Sequence, residues 1–129
     1  MSDLDHAKLI LDQARKDLKA LKGMIDQNIF DEEIFGFHAQ QAIEKALKSW
    51  LSFLKIYYPK THDLELLFSL LEDHKQVIPI KLRQLVDVSD FAVQYRYESF
   101  EGFQDNLDRQ DIIKTTGDFV LYVEELLKK

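Results

Sequence analysis

Three short clusters hold the side chains whose types and spacing could do chemistry. The first is FHAQQAIEKALKSWL, Phe37 to Leu51. At helical spacing, His38, Gln41, Lys45 and Lys48 fall within about one quarter of the circumference. Two lysines in such a row concentrate positive charge on an acidic chain, an arrangement that serves an anion or needs an internal carboxylate such as Glu44. The same row is also what the solvated face of an ordinary amphipathic helix looks like. Phe37 and Leu51 flank it off the apolar stripe, which points to a second contact surface, a groove or a subunit interface.

The second cluster is KTHDLELL, Lys60 to Leu67, with His62 and Asp63 at a predicted helix start. There a side chain can cap free backbone amides, or His62 can line a site for a phosphate at the helix N-terminus. The third is QYRYESF, Gln94 to Phe100, where Arg96 lies between two tyrosines. An arginine near a helix end can bond the terminal carbonyls while tyrosines cover the core edge. It can equally grip a phosphate with two parallel bonds while a tyrosine offers a stacking face.

These clusters must be positioned by helices. Leu4, Ala7, Leu11, Ala14, Leu18 and Leu21 recur at spacings of three and four, one apolar stripe on a first helix. Ser2 suits its N-cap, and Gly23 suits a left-handed C-terminal residue. A second helix begins near Asp31, with Asp31, Glu32 and Glu33 at the positive end of its dipole. Phe35, Ala39, Ala42, Ile43, Ala46, Trp50 and Leu54 form its apolar face, and Pro59 is expected to end it. A third helix follows Thr61, the expected N-cap, and carries Leu64, Leu67, Leu70 and Leu71. Pro79 fits the first turn of a fourth, with Leu82, Leu85, Val86 and Val93 inward. Glu98 to Asn106 reads as a loop. A last helix runs from about Leu107, with Ile112, Ile113, Thr116, Phe119, Val120, Val123 and Leu127 on one side. Nothing alternates with a period of two, so the expected fold is all-α. It is an antiparallel up-and-down bundle of four longer helices plus a shorter one, a single domain over residues 1–129.

Composition narrows the function classes. With 46% hydrophobic and 31% charged residues, the chain can build a core and is not a disordered polyelectrolyte. A net charge of -6 opposes long-range steering of RNA, though it leaves room for a local basic patch. The absence of cysteine excludes disulfides, thiolate zinc sites and a thiol nucleophile. Asp3, Asp5 and His6 stand where a secretory signal would be basic and then apolar, and no apolar run approaches about 20 residues. The expected location is the cytoplasm, with no membrane contact. No phosphate loop, dinucleotide fingerprint or His-Glu-x-x-His pattern is present, and the four histidines are scattered, so neither a metal nor another cofactor is expected.

The order of the clusters resembles the HEPN family, the higher eukaryote and prokaryote nucleotide-binding domains. A helix with Gln-Ala-x-Glu-Lys-x-x-Lys is matched by Gln41, Ala42, Glu44, Lys45 and Lys48. Thr-His-Asp-Leu is matched by Thr61, His62, Asp63 and Leu64, and a later Arg-Tyr pair by Arg96 and Tyr97. The resemblance implies a helical bundle that commonly dimerises. It also implies a partner: many small stand-alone members are encoded beside a minimal nucleotidyltransferase and act with it as a toxin–antitoxin pair. Other members are RNases that use Arg-x4–6-His, paired across a dimer, without metal. Here Glu101, Gly102 and Phe103 occupy the required distances after Arg96, and Arg15, Arg83 and Arg109 have no histidine there either. That departure removes the expected acid–base group.

Three readings follow. The first is a homodimeric module binding a nucleotide, RNA or its phosphate through Gln41, Lys45, Lys48, His62, Arg96 and Tyr97, with no catalytic residue. The second is an atypical metal-independent RNase with Arg96 on phosphate and His62 as acid or base. The third is a structural dimer in which Glu44 and Arg96 simply pin two helices.

Overall fold

The computed structural model describes residues 3–89 and 108–129. These residues are helical, with no strand among them: α1 Asp3–Gly23, α2 Glu32–Phe53, α3 Leu64–Asp73, α4 Ile80–Ser89 and α5 Arg109–Leu127. Ser2, Val93, Leu107, Phe100, Phe103 and the expected Glu98 to Asn106 loop lie outside the described residues.

The first two helices form an antiparallel pair. Ala7, Leu11, Ala14, Leu18 and Leu21 are buried on α1, while Leu4 at the stripe's edge is 36% exposed. Alanines on both sides (Ala7 and Ala14 against Ala39, Ala42 and Ala46) keep the side chains small enough for close approach. The buried Ser49 Oγ donates to the Ala7 carbonyl at 2.7 Å, so the end of α2 lies against the start of α1. The α5 helix runs antiparallel to α1: Arg109 reaches the Met24 carbonyl, and Arg15 pairs with Glu124 at 3.0 Å. Trp50 packs between helices, its ring 6.2 Å from Phe119 and 5.5 Å from Tyr122. Burial of Trp50 and Phe119 contributes about 2–3 kcal/mol each.

The helix ends differ from the sequence expectation in instructive ways. Gly23 is the last residue of α1, and no described glycine has positive φ, so a left-handed glycine does not end that helix. Pro59 does not end α2 either. The helix stops at Phe53, six residues earlier. Lys55 takes the left-handed conformation at φ 62°, with its amide on the Ser52 carbonyl and the Ile56 amide on the Leu51 carbonyl at 2.9 Å. That is the Schellman pattern, sealed by the buried Ile56. Lys75 repeats it after α3 at φ 63°. The N-cap of α3 is Asp63 rather than Thr61. A carboxylate two positions nearer the first helical turn reaches the amides of Glu65 at 3.0 Å and Leu66 at 3.3 Å, and its charge suits the dipole. Thr61 instead receives the Asp63 amide at 3.0 Å.

One apolar residue changes role. Leu51 is fully buried in the core of this one chain, so it is not part of a second contact surface. The chain segment that follows the helix returns to it, the Ile56 amide bonding the Leu51 carbonyl, and Ile56 is buried as well. Phe37 is half-buried, its ring edge-on to His38 at 5.4 Å.

Candidate functional site

The polar row of α2 divides into two groups when the helix is packed. Lys45 turns toward α1 and forms a short ion pair with Asp17. His38 Nδ1 sits 4.0 Å from the other oxygen of the same carboxylate. Lys48 belongs to the second group. Its ammonium lies 3.0 Å from Glu44 Oε2, one helical turn earlier, and 5.8 Å from the centre of the Tyr58 ring. Tyr58 in turn meets Ser52 through a hydroxyl–hydroxyl contact of 3.3 Å.

Glu44 is the centre of the second group. The residue is 3% exposed, and both of its carboxylate oxygens are used. Oε1 meets His62 Nδ1 at 2.9 Å while Oε2 accepts from Lys48. A buried carboxylate persists only with such donors, since burial without them is strongly unfavourable. His62 arrives from the segment before α3. The Asp63 cap fixes where α3 starts, and Gln40 Nε2 donates to the His62 carbonyl at 3.1 Å, so side chain and backbone are both held.

The tautomer follows from the chemistry of the partner. An ionised carboxylate only accepts, so Nδ1 of His62 carries the hydrogen and donates it. Nε2 is then the outward edge, without a partner among the described residues, on a side chain 76% exposed. It accepts a proton when the ring is neutral and donates a hydrogen bond to an anion when the ring is charged. Lys48, 17% exposed, supplies nearby positive charge that Glu44 largely offsets.

The expected site is thus assembled in part. Lys48 and His62 come together through Glu44. Gln41 lies half-buried on the same row, and Lys45 is committed to Asp17. Arg96 and Tyr97 lie outside the described residues. Glu44 meets Lys48 and His62, a pairing whose legible half is the Glu-to-Lys spacing of four. Gln40 gave no signal at all: it is a buried polar residue, 6% exposed, on the edge of the apolar stripe.

Arg109 was missed as well. Its guanidinium is 3% exposed by residue and all five of its donors are engaged. Nε and Nη2 share Glu32 Oε1, Nη1 reaches the carbonyls of Met24 and Asp26, and Nη2 reaches that of Phe30. The group also stacks 4.8 Å from the Phe35 ring. An arginine in the first turn of a helix opposes the dipole, and that was the available hint. Among the described residues no group of three or more carboxylate and histidine side chains is placed to hold a metal, and no helix is long and apolar enough to cross a membrane.

Comparison with known proteins gives one match. The family model for the HEPN domain matches residues 7–126, nearly the whole chain. No curated protein and no solved structure matches.

Proposed function

We propose, for a chain that belongs to the HEPN domain family, that the Glu44–His62–Lys48 group is the recognition edge for a nucleotide or RNA phosphate. The family is one of nucleotide- and RNA-related modules. In this reading the chain acts in the cytoplasm as a homodimer beside a minimal nucleotidyltransferase, as in a toxin–antitoxin pair. The resemblance adds Gln41, Lys45, Arg96 and Tyr97 to this reading, of which Lys45 is engaged by Asp17 and Arg96 and Tyr97 lie outside the described residues.

One observation carries the reading: an exposed imidazole is held from behind by a buried carboxylate. A surface histidine that only caps a helix has no use for such a partner, and the capping here is done by Asp63. Holding Nδ1 leaves Nε2 pre-aimed at solvent, which lowers the ordering cost of meeting a phosphate oxygen. Calorimetric titration of the full chain with ATP and with a short RNA, with and without the nucleotidyltransferase, tests it. Binding that weakens at least tenfold in His62→Ala, Lys48→Ala and Arg96→Ala, with the variants still folded, supports the site. If neither ligand binds the wild type and the substitutions change only thermal stability, the group is a helix fastener and the reading fails.

A second reading rests on the same contact. A histidine oriented by a carboxylate is also the arrangement of a general acid–base. The missing Arg-x4–6-His argues for binding over cleavage. Cleavage of structured RNA by the purified chain in chelator, lost in His62→Ala, would turn the assignment toward an RNase.

A further inference from the structure

A separate surface lies on the far side of α1, along its seam with α5. Two cavities open there, of about 790 and 470 Å³. Arg15 and Glu124 line both, so their 3.0 Å ion pair is a saddle within one continuous groove. From Leu4 to Lys22 the groove follows about five turns of α1, ~27 Å.

Its floor is apolar. Leu4, Leu9, Leu18, Ile113 and Leu121 contribute, and Leu9 and Leu121 are 50% and 57% exposed. At Gly117 an added Cβ would meet nothing closer than the Leu18 side chain at 3.7 Å, so the glycine leaves the floor open rather than tightly packed. The rim carries both signs with basic residues in excess, Asp5, Asp12, Asp118 and Glu124 against a longer basic set. Lys8, Arg15, Lys19 and Lys22 recur at spacings of seven, four and three, one face of α1. Arg15 is matched by Glu124, and Lys114 across the groove by Asp118. Lys8, Lys19 and Lys22 make no ion pair among the described residues. Three lysines without an ion pair among the described residues therefore border an apolar trough on a chain whose net charge is -6, with Lys19 and Lys22 farthest from Asp5 and Asp12.

We propose that this groove docks an amphipathic helix of a protein partner, its apolar face on the floor and acidic side chains against Lys8, Lys19 and Lys22. Helix-in-groove recognition uses this combination of trough and rim. The proposal does not depend on the phosphate site, which lies on α2 and the segment before α3. A second copy of the chain is the competing occupant, and sedimentation separates the two. RNA is disfavoured because no aromatic among the described residues lines either cavity for base stacking, and an apolar floor gains nothing from a phosphate backbone.

The test is fluorescence anisotropy with the full chain and a synthetic helical peptide of about 18 residues, matched to the groove length. Its leucines form one face and its glutamates flank them. The controls are the same composition scrambled and an oligouridylate of the same length. The helical peptide is expected to bind at low salt and to weaken at least tenfold in the double variant Lys19→Glu, Lys22→Glu. It should also weaken at least tenfold in Leu121→Asp, an exposed position where folding is preserved and checked by circular dichroism. No binding, or equal binding of the scrambled peptide, overturns the proposal. So does tighter binding of the oligouridylate through the same lysines, or a homodimer in sedimentation that Leu121→Asp dissociates.

Discussion

Glu44 and Arg109 are both buried charges at 3% exposure, yet their surroundings differ in one respect. Arg109 is sealed. Its partners are a neighbouring carboxylate, three backbone carbonyls and an aromatic face, all within the fold. Glu44 has an outlet: one of its two partners, His62, stands mostly in solvent. A closed group of charges joins elements and does nothing else. A group with one exposed member can transmit its charge to something outside. Burial alone does not distinguish a fastener from a site; where the last partner sits does.

Removing Arg109 should cost the most. Arg109→Ala removes the guanidinium that joins Glu32 to three backbone carbonyls and is expected to lower stability by about 3–5 kcal/mol. Against a typical total of about 5–15 kcal/mol, that is a large fraction. Urea unfolding measures it, and a loss below about 1 kcal/mol would show that water replaces the clamp and that the contrast with Glu44 is unfounded.

Glu44→Ala should cost less, about 1–3 kcal/mol, because Lys48 and His62 can turn to water. If it matched Arg109→Ala in the same assay, Glu44 would have to be regarded as sealed too. Glycine at Lys55 probes how His62 is delivered. Lys55→Gly relieves a left-handed residue at the start of the segment leading to His62 and should stabilise by about 0.5–1 kcal/mol. Phosphate binding should not change, which would assign the positioning to Glu44 and Gln40 rather than to the turn. His62→Ala is expected to move stability least, by about 0.5–1 kcal/mol, since Glu44 keeps Lys48 and water can enter where the mostly solvated ring stood. A larger loss of stability with ligand binding intact would make His62 a structural partner and dissolve the distinction.

Helix identity was legible because the apolar stripes are unbroken, and Leu11, Ala14, Leu18, Phe35, Ile43, Phe119 and Val123 are buried as the spacing requires. Helix ends were less legible. At Lys55 and Lys75 tertiary packing holds a lysine where glycine is the usual residue, so composition carried no sign of the turn. Leu51 looked superfluous because a helical wheel knows nothing of the chain segment that returns to it. The site was half legible. His62 and Lys48 were visible as residue types at useful positions, but spacing along α2 could not say that Lys45 would be drawn to Asp17 on α1. Arg109 was hidden for the same reason, since its partners lie 77 to 85 residues away in the chain.

That separation has a consequence in time. The α1–α2 pair joins neighbours in sequence, and such contacts close early with little loop entropy. The Arg109 bonds require the whole intervening chain to be gathered first. Arg109→Ala should therefore leave the refolding rate nearly unchanged and appear almost entirely as faster unfolding. A truncation inside the first pair, such as Leu11→Ala, should slow refolding instead. Stopped-flow kinetics would resolve the order: the pair of helices is what the chain finds first, and the buried arginine is what keeps it from letting go.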